Sequence, residues 1–557
     1  MNYSRLLPFL ALLIVYLIGA FGIDIMDIDA AQYASIGREM AENNQFLDVQ
    51  FRGQDYYLDK PPLLFWVSAL MFKLLGPTNM AYRLVPILST LLGMYAVERF
   101  TRLYYSTQTA YIAALVLGSC QAFFLMNHDV RCDTLLTNCV MVAIWQLAAY
   151  LKNPKQIGAW RYFVGAFVFV GLGMLAKGPI SVIVVGAAFF FDLLLKRQWR
   201  SLFHPRWIVG VLIVLLVLIP YCIGLYQQYG SHGLYFFFWE QSFGRITGEN
   251  EWKNDAGLFF QAQNFLWSFL PWVLVFVAGL VWVVKDCWTK NFRLQPHQEA
   301  ISLFGFLLPF AALSTAQYQL PHYTFVVFPL AAVLTARYLS FLIDNAPSVS
   351  FQWTRIALIF TSVVMLTVVL ILLTWAFPLR NVLLWGILIL MTLLIWRLYG
   401  RQRPAFSQLV FAPFLTALVA NLALNAHFYP TLLTYQTGSV VGQFMQKQPR
   451  EALERFYVYD IAPVEEYNIF HSALDFYSRR TTPVLRKTDD VKNLLHSEKP
   501  LWLYTDQQGL DSLRASGMKT EEVQRYQKFH VTGLTLPFLN PATRHTETKT
   551  AYLLKVR

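Results

Sequence analysis

The chain has 557 residues, of which 56% are hydrophobic and only 14% charged, against about 25% charged in an ordinary soluble domain. With a mean hydropathy of +0.42, this excludes a disordered chain, a collagen-like fibre, a small disulfide scaffold and a string of soluble domains, and leaves a polytopic α-helical membrane protein. The formal net charge of +12 reads as loop charge that orients helices rather than as a nucleic-acid footprint, so no nucleic-acid partner is expected.

From the N-terminus, residues 6–23 form an apolar run behind Arg5 and read as the first spanning helix rather than a cleaved signal. Further runs lie near 82–100, 108–126, 134–151, 162–176, 179–195, 207–226, 262–284, 300–314, 322–343, 356–377, 380–396 and 407–427, giving about 13 spans at ~20 residues each. Residues 61–76 are apolar but short and read as a helix lying along the interface. With the N-terminus inside, the cytoplasmic turns carry most of the cations, among them Arg99, Arg102, Lys152, Lys155, Lys196, Arg197, Arg206, Lys285, Arg355, Arg397 and Arg401. The opposite turns between later spans are nearly bare, holding Arg131, Lys177, Arg245, Lys253 and Arg380. The expected location is the bacterial inner membrane, with the C-terminal segment in the periplasm. Residues 1–430 read as the membrane domain. Residues 431–557 read as a small α/β domain, with strand-like runs at 455–460, 500–506 and 551–557 and a helix-like stretch at 464–480. The five cysteines form no CxxC and no metal-like cluster.

Polar residues of a different kind collect in the outer loops. The first loop opens with Asp24, Asp27 and Asp29, the last standing at the start of an amphipathic helix that carries Tyr33, Ile36 and Met40. A carboxylate at a bilayer edge is costly without a partner or a task; Asp29 could also be a helix cap. Downstream, Asp59 and Lys60 precede two prolines that keep the chain extended there. Asp129 and Asp133 are four apart and could share a helix face. Lys177 stands almost alone before Gly178 and Pro179, where a helix N-terminus and a cation would suit a phosphate. Glu240 and Arg245 lie in a long aromatic loop, and His322 and Tyr323 sit at a helix start. Solvated loop charge, a snorkelling lysine and a structural cap explain each of these taken singly. Their collection on one side of the membrane is what suggests a site. Chemistry that fits it is transfer from a lipid-borne donor: cations for a phosphate leaving group, a carboxylate to take a proton, and an apolar groove for the lipid.

In order along residues 1–430, the chain carries D-x-x-x-Y-A-x-x-x-R-E-M (Asp29, Tyr33, Ala34, Arg38, Glu39, Met40), Y-x-x-K-P (Tyr57, Lys60, Pro61), K-G (Lys177, Gly178) and L-P-x-Y (Leu320, Pro321, Tyr323). This pattern resembles the GT-C membrane glycosyltransferases, nearest the lipid A aminoarabinose transferases and the protein O-mannosyltransferase-like enzymes. The resemblance implies inverting transfer of a sugar from a polyprenyl (undecaprenyl) phosphate to a lipid such as lipid A, a glycan or a protein. It implies Asp29 as base and Asp133 as a second acidic position, with Lys60, Lys177 and Arg245 holding the phosphate and Tyr323 near the donor. Tyr33, Asp27, Asp59, Glu240 and His322 are expected to line the substrate site. No cofactor is required on this reading; a divalent ion held by Asp27, Asp29 and Asp59 is the alternative. The expected state is a monomer. The chain departs from the family at Ala30 after Asp29, at Asp59 for a common Glu, at Gln319 for a frequent Lys, and at Gln241 where the aminoarabinose enzymes tend to carry His. The rival reading is a transporter or flippase of a lipid-linked sugar, which should show repeat symmetry and mid-span charge; no repeat is apparent.

Overall fold

The structure, a computed structural model, describes residues 5–53, 55–241, 256–291, 293–295, 297–461, 471–495 and 499–557. Every apolar run is met by helix. The elements are α1 (Leu7–Gly22), α2 (Asp29–Asn43), α3 (Leu63–Leu75), α4 (Asn79–Tyr104), α5 (Thr107–Ser119), α6 (Gln121–Met126), α7 (Cys132–Lys152), α8 (Ala159–Lys177), α9 (Ile180–Leu195) and α10 (Arg206–Tyr235). Then come α11 (Phe260–Ser268), α12 (Val273–Thr289), α13 (Ile301–Ser314), α14 (Phe328–Asp344), α15 (Val349–Ile371), α16 (Val382–Leu398) and α17 (Ala412–Ala423). Among the described residues seven helices are long and apolar enough to cross a membrane, or eight if the bent pair α11 and α12 is one span. The helices α1, α3, α9, α13 and α16 are apolar but shorter.

Polar side chains set the helix starts: Thr78 accepts from the Ala81 N–H, Ser106 from Thr109 and Asn381 from Leu384. Two expected spans are broken. The run 108–126 divides at Cys120, whose extended backbone lets the Gln121 N–H reach the Leu270 carbonyl at 3.0 Å. The run 262–284 turns by 117° between α11 and α12, at Pro271, which lacks an N–H for a continuous helix. The segment 61–76 forms α3 and packs on α2; its Trp66 indole donates to the Phe46 carbonyl at 2.6 Å.

The C-terminal chain forms α18 (Thr437–Gln446), α19 (Ser472–Ser478), α20 (Thr488–Leu494) and α21 (Gln507–Ala515) around a five-stranded sheet. The sheet order is β4 (Val484–Leu485), β3 (Phe456–Tyr459), β5 (Leu501–Asp506), β7 (Lys549–Val556), β6 (Thr520–Lys528); a short first-loop hairpin supplies β1 (Gln50–Phe51) and β2 (Asp55–Tyr56). β3 is parallel to β4 and β5, and β7 is antiparallel to β5 and β6. One face packs Phe456, Val458 and Tyr504 on Val441, Met445 and Leu474. The other packs Leu501, Leu503 and Leu554 on Val491, Leu510 and Leu513. The three sequence runs are strands β3, β5 and β7; β6 and β4 were not foreseen. Of the helix-like stretch 464–480, residues 472–478 are helix, and its part 464–470 lies outside the described residues.

Two contacts seat this unit on the bundle. Phe538 packs with Phe377, Phe428, Ile23 and Met26, and Arg544 donates to the Ala376 carbonyl at 2.5 Å while covering the Phe377 ring at 4.1 Å. The second contact lays α19 on the first loop. There Asp27 does not face the other first-loop carboxylates. Its Oδ1 accepts from the Ala473 N–H at 3.2 Å, and its own N–H donates to Gln436 Oε1 at 2.6 Å. Burial pushes the Asp27 carboxyl up to about 7, and Asp475 adds to the shift; the Ala473 N–H and Lys528 oppose it.

The packing of the first loop is open to two tests. A Cβ on Gly224 in α10 would stand 2.4 Å from the Leu47 carbonyl oxygen, a backbone atom that cannot swing away, so Gly224→Ala should cost about 1–3 kcal/mol and lower the thermal midpoint in detergent. Asp27 is held neutral in the folded chain but ionises at its ordinary value when unfolded. Its contribution is therefore complete below about pH 4 and lost as pH rises through about 7. Asp27→Asn, neutral throughout, should gain stability over the parent between pH 5 and 7, by at most about 1.4 kcal/mol per pH unit. A midpoint difference that stays constant from pH 5 to 8 would contradict this.

Candidate functional site

A fully buried arginine sets the scaffold. Arg83 in α4 is 0% exposed. Its Nη2 donates to the Asp24 carbonyl at 2.6 Å, its Nε to the His128 carbonyl at 3.3 Å, and its Nη1 to the Ile23 carbonyl. One guanidinium thereby fastens the loop that carries Asp29 to the turn that carries Asp129–Asp133. Tyr82 adds a bond from its hydroxyl to the Ala30 carbonyl at 3.0 Å.

Asp29 is the first residue of α2, and the residue before it, Ile28, has φ +74°. A β-branched residue rarely adopts that backbone. Asp29 is not the cap residue expected from the sequence: the N-cap position is Ile28, and Asp29 stands one residue inside the first turn. Its carboxylate instead pairs with Arg131 Nη1, while Arg131 Nε donates to Asp129 Oδ2 at 2.8 Å. Burial opposes the Arg131 charge, but Asp129 and Asp29 outweigh it and hold the guanidinium above its ordinary pKa. Asp129 and Asp133 do not share a helix face. α7 begins at Cys132, so Asp129 stays in the turn, and only Asp133 lies in the first helical turn.

Asp133, nearly buried, pairs with Lys177 Nζ, and His322 Nε2 stands 3.7 Å from its other oxygen. Lys177 ends α8, where Gly178 takes φ +87° to release the chain into α9; a side chain at that φ is disfavoured. The Lys177 ammonium also lies 4.0 Å from the Tyr323 ring centroid, and His322 meets the Tyr323 ring edge-on at 5.3 Å. Lys60 is close enough to act electrostatically on His322 and Cys132. Tyr33 and Tyr57 both pack edge-on against Phe65 of α3, at 5.7 and 5.8 Å between ring centroids. Glu240 ends a π-helical turn after α10, and the next residue, Gln241, donates its amide to the Asp59 carbonyl.

The structure thus brings together Asp29, Asp133, Lys60, Lys177, His322, Tyr323 and Tyr33, with Asp59 at the edge, while Glu240 is placed through its neighbour Gln241. Asp27 stands apart on α19. Arg245 lies outside the described residues. No group of three His, Cys, Asp or Glu side chains placed to hold a metal occurs among the described residues. Sequence reading did not assign Arg131 or Arg83 to the site. Arg131 was visible between Asp129 and Asp133, and Arg83 as a lone charge within an apolar run.

The cluster sits at one end of the bundle. At the other end, Lys196 pairs with Asp192 at 2.8 Å and Arg337 with Glu299 at 3.4 Å, and Lys152 donates to the Leu103 carbonyl.

The chain has relatives by sequence and by fold. Residues 59–223 match the family model described as dolichyl-phosphate-mannose-protein mannosyltransferase. An uncharacterized protein of Aquifex aeolicus is 23% identical over 83% of both chains. An undecaprenyl phosphate-alpha-4-amino-4-deoxy-L-arabinose arabinosyl transferase of Edwardsiella ictaluri is 26% identical over 56% of this chain and 54% of its own, so the match spans about half of that relative. ArnT of Cupriavidus metallidurans, solved with undecaprenyl phosphate, superposes with a TM-score of 0.73 at 18% identity, over 99% of this chain and 97% of that one. The chain has the ArnT-like fold along nearly its whole length, and its likeness to the aminoarabinose-transferase and protein-mannosyltransferase group of membrane glycosyltransferases stands on sequence and structure together.

Proposed function

We propose that the chain is an inverting glycosyltransferase that moves a sugar from a polyprenyl (undecaprenyl) phosphate donor to an envelope lipid, glycan or protein at the periplasmic face. The observation that carries this reading is the meeting of Asp29, Arg131, Asp133, Lys177 and Lys60 at one bundle end, in a fold shared with a structure that holds undecaprenyl phosphate. The named relatives are transferases, and none of them favours the flippase reading.

The donor phosphate enters by exchange. It takes Lys177 from Asp133 and shares Lys60, with Arg245 completing the cation set. Tyr323 keeps the Lys177 ammonium aimed through its ring face. Asp29, released in part from Arg131, accepts the proton of the acceptor hydroxyl. That oxygen attacks the anomeric carbon as its bond to the phosphate oxygen breaks, through an oxocarbenium-like state. The electron pair of the broken bond stays on the phosphate, whose added charge the cations stabilise. Attack from the face opposite the phosphate inverts the anomeric centre. The side chains supply the positive field, so the scheme needs no divalent ion.

The same reading takes all thirteen helical runs as spans. Short helices such as α1, about 24 Å long, cross with their flanking residues. The bundle end that carries the site and the C-terminal domain then faces the periplasm, with residues 1–430 as the membrane domain, 431–557 as the soluble one, and a monomer as the working unit.

The test is transfer by the purified chain from a polyprenyl phosphate sugar, with mass spectrometry of envelope lipids and glycoproteins to name the acceptor. Asp29→Asn should lower kcat by about 10²–10⁴-fold while undecaprenyl phosphate still binds. Lys177→Ala should lower kcat/KM by about 10²–10³-fold. Unimpaired transfer by Asp29→Asn would reject its role, and movement of the intact donor across vesicles without transfer would favour the flippase.

A further inference from the structure

The motif that begins at Asp29 ends in Arg38, Glu39 and Met40. Arg38 and Glu39 lie about 14 Å along the helix from Asp29, too far to share its substrate, yet both are buried, at 1% and 8% exposed. Their partners explain this. Arg38 Nη1 donates to the Asp475 carbonyl at 2.5 Å, and Ser35 Oγ, one turn earlier, donates to the Ser472 carbonyl at 3.0 Å. Glu39 accepts from Thr481 Oγ1 at 3.1 Å and from the Gly53 N–H at 3.1 Å. Arg52 pairs with Asp475 at 3.3 Å and donates to the Thr482 carbonyl at 2.6 Å. The Asp475 carboxylate also accepts from the Thr482 N–H at 2.8 Å. Both arms of the first loop, α2 with Asp29 and the hairpin that leads to Lys60, are thus tied to one C-terminal stretch, residues 472–482.

The other end of α2 is held in the same way. Ile28, at φ +74°, is a backbone outlier directly before Asp29, and such conformations persist only when the surroundings over-determine them. Arg83 and Tyr82 hold the turn from the bundle side, and the C-terminal unit holds it from the other. The Ile25 N–H donates to the Tyr477 hydroxyl at 2.7 Å, and that hydroxyl donates to Asn79 Oδ1 at 2.6 Å. Gln436 grips residues 25 and 27 together. Its Nε2 donates to the Ile25 carbonyl at 2.8 Å, and its Oε1 accepts from the Asp27 N–H at 2.6 Å. Gln443 donates to Asp24 at 2.9 Å. Residues 24–28 are therefore fixed on their C-terminal side by hydrogen bonds from three different side chains.

We propose that the C-terminal segment is the positioning device for the first-loop acid: Gln436 and Tyr477 hold the strained turn 24–28 that aims Asp29, and Asp475 sets the register of α2 and of the hairpin before Lys60. Gln436, Tyr477 and Asp475 touch no reacting atom in this account, so they are positioning residues. The proposal rests on the glycosyltransferase reading for its activity consequence, but its structural content stands apart from that reading.

The test uses the full chain in detergent, with Tyr477→Phe, which removes one hydroxyl, and Gln436→Leu, which removes the grip. Three readouts are taken: turnover of a polyprenyl phosphate sugar, binding of undecaprenyl phosphate, and amide hydrogen exchange. The expected result is a kcat lower by about 10- to 100-fold, donor binding within about twofold of the parent, and faster exchange confined to residues 24–31 while α7 and α9 are unchanged. Asp475→Asn, which removes the charge that pairs with Arg52 but keeps the backbone carbonyl that accepts from Arg38, should extend the faster exchange to the hairpin and leave the second half of α2 unchanged, and Asp475→Glu should restore most of it. A kcat within about twofold of the parent, unchanged exchange at 24–31, or faster exchange across the whole chain overturns the proposal. If the parent itself transfers no sugar, the glycosyltransferase reading fails, and the exchange pattern alone then decides the positioning role.

Discussion

A carboxylate and an ammonium at the edge of a bilayer are each expensive when alone, and the structure resolves both costs by pairing them across loops. Asp133 meets Lys177, and Asp29 meets Arg131, each pair joining segments far apart in sequence. Partial burial makes these contacts matter more than exposed pairs do. It also makes them replaceable, because an anionic phosphate can offer Lys177 what Asp133 offers. The pairs join the segments of the cluster, and in the proposed reaction an exchange of partners admits the donor.

That arrangement depends on where the helices end. Lys177 can reach Asp133 because α8 stops at Gly178, whose φ of +87° turns the chain at once into α9. Asp133 can face Lys177 because α7 starts only at Cys132. Asp29 joins them because Arg83, inside the bundle, holds the Ile23, Asp24 and His128 carbonyls on one guanidinium. From the far side, the C-terminal unit clamps the same loop through α19 and Gln436. Converging charge, helix termini and domain docking are thus parts of one mechanical unit.

The helices were legible because each is an apolar run, and the strands β3, β5 and β7 because their side chains alternate or fill a buried face. The strand β6 was not legible: TEEVQRYQK lies at a sheet edge with most side chains in solvent, so no apolar period marks it. The break at Cys120 was hidden as well, since the partner that draws off the Gln121 N–H is the distant Leu270 carbonyl. In the site, Lys177 stood out as a lone cation among apolar residues, Lys60 as a cation before two prolines, Asp133 as an acid four residues from Asp129, and Tyr323 beside His322 at a helix start. Asp27 lies in the same acidic stretch as Asp29 and was expected to line the substrate site; its bonds to Ala473 and Gln436 turn it to the C-terminal unit instead. Arg131 is a plain loop cation in sequence and becomes part of the site through its bond to Asp29.

The most direct measurement is a structure of the chain with a polyprenyl phosphate sugar bound. The account places the phosphorus within about 4 Å of the Lys177 Nζ, with the Asp133 contact loosened and the anomeric carbon presented toward Asp29. A phosphate seated at the opposite end of the bundle, or one seated nearby with Asp29 on the far side of the sugar from any acceptor, would contradict it.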